Sequence, residues 1–101
     1  MDKKFRTEKD TLGEFPVPAD AWYGVQTARA VNNFPISGRG PDRDFIIAHA
    51  RIKRAAATAN RETGWLDVKL TDAILKAADT IIAGEHHADF VVDRFQAGAG
   101  T

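Results

Sequence analysis

The 101-residue chain contains no cysteine, which excludes disulfides and thiolate metal sites and fits a reducing compartment. It also lacks net charge: Lys and Arg total 14, as do Asp and Glu. No overall field draws it to nucleic acid or to an anionic membrane, and neither is expected as a partner. No apolar run approaches the ~20 residues of a membrane span, and the charged opening Met1-Asp2-Lys3-Lys4-Phe5-Arg6 leads into no hydrophobic signal region. A cytoplasmic protein is expected. No internal repeat or low-complexity tract is present. A chain of this length buries only about 60–70% of the surface it exposes when unfolded, so its core must be thin.

Proline and glycine are concentrated in the first third, at Gly13, Pro16, Pro18, Gly24 and Pro35. These residues break up long elements and predict an ordered, extended arm over residues 1–41, with a short strand near Phe5 to Lys9. Phe15-Pro16-Val17-Pro18 should be extended, because each proline pushes the residue before it toward β geometry. Asp20 can cap a helical turn. Thr27, Ala30, Val31 and Phe34 fall at helical spacing and predict a short helix ending before Pro35.

Beyond the loop Ser37-Gly38-Arg39-Gly40-Pro41, Asp42 can cap a long helix running to about Thr63 and closed by Gly64. Its recurring positions are Phe45, Ala48, His49, Ile52, Ala55, Ala56 and Ala59. Small alanines make that face smooth enough for close approach by another helix, while Arg51, Lys53, Arg54 and Arg61 point to water or to partners. A second helix, from Asp67 or Thr71 to Ala83, carries Leu70, Ala73, Ile74, Ala77, Ala78, Ile81 and Ile82 and stops at Gly84. Together the two predict an αα-hairpin over 42–84 in a mainly α fold with a small extended or β arm. Phe90 to Phe95 is apolar and β-branched, and reads as a strand or as an extended approach to the closing glycine-rich segment.

The last residues, Phe95-Gln96-Ala97-Gly98-Ala99-Gly100-Thr101, read as the opening of an anion-binding loop. Gly98 and Gly100 let a backbone approach a ligand closely, and Thr101 offers a hydroxyl and a helix N-cap. No helix comes after it, so a truncated chain is expected. Adjacent His86 and His87 do not converge on one ion, and solvent exposure is expected for them rather than metal binding. His49 is expected on the inner side of the long helix as a packed or capped histidine. Asp42 and Asp44 are helix-start residues, and Trp22, Tyr23 and Trp65 are expected to be packing anchors.

Four blocks then stand in a familiar order: Val17-Pro18-Ala19-Asp20-Ala21-Trp22-Tyr23-Gly24-Val25-Gln26-Thr27-Ala28-Arg29-Ala30; Asn33-Phe34-Pro35-Ile36-Ser37; Lys53-Arg54-Ala55-Ala56-Ala57 with Asn60; and the closing Phe95 to Thr101. This pattern resembles the amino-terminal region of the aspartase/class II fumarase superfamily over nearly the whole chain. The resemblance implies a longer subunit of a helical homotetramer whose central and carboxy-terminal domains, serine loop and Thr-His segment lie beyond Thr101. In the implied reaction a base removes the C3 proton of a succinate-type skeleton. An aci-carboxylate forms, and ammonia or water leaves to give fumarate without an organic cofactor.

On the same resemblance Gly98, Ala99, Gly100 and Thr101 contribute to binding a substrate carboxylate, with a plain N-cap threonine as the alternative for Thr101. Arg29 matches an arginine of the aspartases; it could help hold a carboxylate or a subunit contact, or form a salt bridge that anchors the arm. Gly-Ala-Gly-Thr is the usual aspartase wording, whereas fumarases of this class usually carry serine in place of Ala99. The implied substrate is therefore L-aspartate, with a malate–fumarate hydratase as the alternative. No catalytic side chain and no metal ligand is assigned within these residues. A different class stands beside both: a non-catalytic helical module that binds partner subunits through Ala55 to Ala59.

Overall fold

Asp10 begins the first turn by accepting a hydrogen bond from the Leu12 N–H through its side chain at 2.9 Å, and Gly13 completes the turn at φ +111°. A side-chain Asx turn followed by a left-handed glycine reverses the chain tightly. It joins strand β1 (Phe5–Asp10) to strand β2 (Gly13–Pro18) in a two-stranded antiparallel sheet. Arg6 faces Val17 and Glu8 faces Phe15, while Pro16 and Pro18 stand opposite Thr7 and Phe5. The Ala19 N–H bonds to the Lys4 carbonyl at 2.9 Å, which sets the phase of the ladder. Both prolines then fall where a strand residue turns its N–H away from the partner, so the ladder loses nothing by their missing donors.

The computed structural model describes residues 3–96, in which helix α1 spans Val25–Asn33, α2 Arg43–Glu62 and α3 Val68–Ile82, followed by a single 3-10 turn at His87–Asp89. The chain divides into two units. One consists of the described parts of Met1–Pro41 and Ala88–Thr101, the other of Asp42–His87.

In the first unit the inner face of the sheet packs on α1. Val17, Val25 and Ala28 are buried there, with Phe15, Ala21 and Tyr23 against them. The side of α1 that packs is therefore Val25, Ala28 and Arg29, not the Thr27–Ala30–Val31–Phe34 stripe, of which Val31 and Phe34 are exposed. Asp20 lies in a tight turn closed by the Ala21 N–H on the Pro18 carbonyl at 3.0 Å and caps no helix.

In the second unit α2 and α3 form the expected hairpin. Both helices end in the same motif: the N–H groups of Gly64 and Trp65 reach Arg61 and Asn60, and those of Gly84 and Glu85 reach Ile81 and Thr80. Gly64 at φ +84° and Gly84 at φ +104° occupy the position where a side chain would be strained. Asp67 caps α3 by accepting from the Leu70 N–H at 2.8 Å, whereas Asp42 holds the N-cap backbone of α2 without a side-chain capping bond.

The buried residues of α2 are Ile46, Ile47, Ala50 and Ala57, and those of α3 are Thr71 and Ala78. Phe45, Ala48, His49, Ile52, Ala55, Ala56 and Ala59 are exposed, so the stripe read from the sequence is a second apolar side of α2. His49 is consequently exposed and lies 4.6 Å, ring to ring, from Phe45. The other anchors divide. Tyr23 packs on the Val17 core, while Trp22 is 76% and Trp65 85% exposed.

Candidate functional site

Two arginines and two carboxylates line the inner side of the hairpin, because alternation along β1 sends Arg6, Glu8 and Asp10 to the face that meets α1. Arg6 pairs with Glu8 at 2.7 Å and donates to the carbonyls of Pro18, Ala19, Ala21 and Tyr23 at 2.8–3.1 Å. One guanidinium thus collects the carbonyls of the Pro18–Tyr23 turn. Glu8 in turn accepts from the Val25 N–H at 3.0 Å, at the start of α1, where a negative charge is favourable. It performs from another strand the capping that Gly24 has no side chain to provide. Arg6, and after it the Val25 N–H, hold the Glu8 carboxyl below its usual range against the opposing effect of burial.

Arg29 is the sequence-predicted binding residue within the described part. It pairs with Asp10 at 2.9 Å, donates to the Gly13 carbonyl at 2.9 Å and lies 4.8 Å from the centre of the Phe15 ring. Those partners belong to the β-turn and its flanks, so the guanidinium is engaged in holding the hairpin to α1. Chiefly through Arg29, the Asp10 carboxyl is also held below its ordinary value.

Gly98, Ala99, Gly100 and Thr101 lie outside the described residues. The segment leading to them is described, and it is irregular rather than a strand. Asp93, only 7% exposed, accepts from the Phe95 N–H at 3.0 Å and from the N–H groups of Ser37 at 2.7 Å and Gly38 at 3.1 Å. The Ser37 hydroxyl stands 3.0 Å from both carboxylate oxygens. Donors from Phe95, then Ser37 and Gly38, outweigh burial and hold the Asp93 carboxyl down to about 2.

Two bonds from Arg94 continue the contact: its N–H reaches the Arg39 carbonyl at 2.9 Å and its guanidinium the Gly40 carbonyl at 3.0 Å. Gly40 is required by proximity, since a β-carbon there would lie 2.8 Å from the Phe90 carbonyl oxygen. The loop Ser37–Gly40 and the segment Phe90–Gln96 form one clasp. Nothing in the sequence reading assigned Asp93, Ser37, Arg6 or Glu8 a role. The available signal was Asp93 itself, a lone acid directly after Phe90-Val91-Val92.

His86 and His87 are half-buried rather than solvent-exposed. His86 has φ +63°, and Nε2 of His87 is 2.8 Å from the Ile81 carbonyl oxygen at the end of α3. Among the described residues no three His, Cys, Asp or Glu side chains converge so as to hold a metal ion, and no helix is long and apolar enough to cross a membrane.

With this geometry established, similarity to known proteins decides the family. The lyase family matches residues 13–101. The chain belongs to that family. Class II fumarate hydratase of Halobacterium salinarum is 54% identical over 101 residues, covering 100% of the chain and 22% of that protein. Aspartate ammonia-lyase of a Bacillus species is 48% identical over 101 residues, again covering 100% of the chain and 22% of the relative. The crystal structure of class II fumarase from Schistosoma mansoni superposes with a TM-score of 0.89 at 36% identity, over 97% of this chain and 21% of the other. The chain thus spans about a fifth of the length of these relatives, and its three helices and small antiparallel sheet are those of fumarase-type lyases.

Proposed function

We propose that this chain forms the amino-terminal part of a longer homotetrameric, cytoplasmic lyase subunit that converts L-aspartate to fumarate and ammonia by anti elimination. In this reading residues 1–41 are the arm, 42–84 the helical hairpin and 90–101 the start of the substrate loop. Thr101 and the backbone of Gly98, Ala99 and Gly100 bind a substrate carboxylate, and fixed donors there stabilise the charge that develops in the aci-carboxylate. The observation that carries the assignment is the sequence Gly98-Ala99-Gly100-Thr101 within a lyase-family chain. With Ala99 the loop lacks the hydroxyl that a hydratase would use to hold substrate or water. Arg29 serves as the anchor of the arm, since Asp10, Gly13 and Phe15 already occupy its guanidinium.

The test is a side-by-side assay of the full-length subunit with L-aspartate and with L-malate, followed as fumarate absorbance. Turnover of aspartate is expected. Turnover of malate alone would reverse the assignment toward fumarate hydratase, a second reading favoured by the 54% identity to the Halobacterium enzyme.

The exposed stripe on α2 supports the interaction role in either case. An apolar face of this kind is stabilised by a covering surface, and partner subunits are the proposed cover. Were the 101 residues to act as an interaction module only, the native protein would associate in a concentration-dependent way and turn over neither aspartate nor malate.

A further inference from the structure

Asp93 stands five residues before Gly98 and eight before Thr101, and it holds both sides of the clasp. Its Oδ1 accepts from Phe95, its Oδ2 from Ser37 and Gly38, and the Ser37 hydroxyl reaches both oxygens. The same residue's carbonyl accepts from the Gln96 N–H at 3.0 Å, so side chain and main chain together define the turn Asp93–Gln96. That turn is the last described structure before the anion-binding sequence. Every donor around the carboxylate is an N–H or O–H group. An asparagine would therefore turn its NH2 toward at least one other donor in either orientation.

We propose that Asp93 is a positioning residue for the carboxylate-binding sequence Gly98–Thr101: its clasp to Ser37, Gly38 and Phe95 fixes the Asp93–Gln96 turn that precedes that sequence in the chain, and so sets the affinity for the substrate carboxylate. The proposal rests on the functional reading above. In this role Asp93 touches no reacting atom. It acts through the backbone, where a displacement of about 1 Å in a substrate-positioning group can cost on the order of a hundredfold in rate. Its charge is constant at any working pH, because its carboxyl is held down to about 2.

The experiment uses the full-length subunit carrying Asp93→Asn, with Ser37→Ala as a milder second variant that removes only the hydroxyl. Hydrogen exchange of peptides covering Phe34–Gly40 and Asp93–Ala97 reads the clasp without reference to substrate. Steady-state kinetics read its consequence. Faster exchange in both peptides is expected for Asp93→Asn, together with a KM roughly 10- to 100-fold higher, a smaller change in kcat and an unshifted pH profile. Ser37→Ala should raise KM roughly three- to tenfold, and it carries the test if the asparagine variant does not fold.

Faster exchange with an unaltered KM would overturn the proposal, as would unaltered exchange in both variants. A displaced pH profile would also overturn it, by giving Asp93 a part in proton transfer. Failure of the functional reading looks different: the unsubstituted subunit would turn over neither aspartate nor malate, whatever the exchange shows.

Discussion

Three carboxylates in the first unit, Glu8, Asp10 and Asp93, share one electrostatic property: each is held below its ordinary titration range by donors placed around it. A depressed folded-state pKa contributes stability that is fully present above the unfolded value and is lost as pH falls through the folded one. For Asp93 that window runs from its ordinary 3.8 down to about 2. Thermal unfolding of the full-length protein between pH 5 and about 2 should show a loss of stability toward acid, and Asp93→Asn should remove part of that slope. At Arg29 the contacts predict a different outcome. Arg29→Ala removes a donor to the Gly13 carbonyl and a cation over Phe15, and should cost about 1–2 kcal/mol in denaturant unfolding. A loss of substrate affinity in that variant without a loss of stability would move Arg29 from anchor to ligand. Val17 has no exposed surface, so Val17→Ala should cost about 2 kcal/mol.

Among the elements, the helix ends were legible and the helix faces were not. Gly64 and Gly84 mark the ends of α2 and α3 because only glycine takes their left-handed geometry without strain, and Asp67 marks the start of α3 because its side chain reaches the Leu70 N–H. These are local interactions, decided by residues next to one another. Gly84→Ala should destabilise the hairpin by about 1–2 kcal/mol and Asp67→Ala by about 1 kcal/mol, both measurable by chemical denaturation. The packing side of α2 depends instead on where α3 lies. Two apolar sides exist on α2, and periodicity favoured Phe45–Ala59 over the Ile46–Ala50–Ala57 side that is buried. A helix carrying two apolar sides gives a pattern that does not rank them. Phe90–Phe95 likewise had the composition of a strand, but it meets Ser37–Gly40 through the side chains of Asp93 and Arg94 and the Arg94 N–H rather than through a ladder.

At the scale of the whole molecule, the second apolar side of α2 is left at the surface, with Phe45 59% and Ile52 64% exposed. The isolated 101-residue chain should therefore self-associate with rising concentration in sedimentation experiments, and Ile52→Glu should shift it toward monomer. It should show no fumarate-forming turnover by itself; activity in a verified chain of this length would refute the proposal that it is one part of a longer lyase subunit. The residues alone determined the element order, the two glycine-terminated helices, the proline-bearing strand and the lyase resemblance, because turn chemistry, caps and periodicity act within a few residues. Only the tertiary structure decided that β1 supplies the cap of α1, that Arg29 is engaged with the β-turn and that Asp93 binds the distant loop at Ser37 and Gly38. Those pairings join residues 17, 19 and 56 positions apart, and chain geometry rather than local sequence brings their charges and donors together.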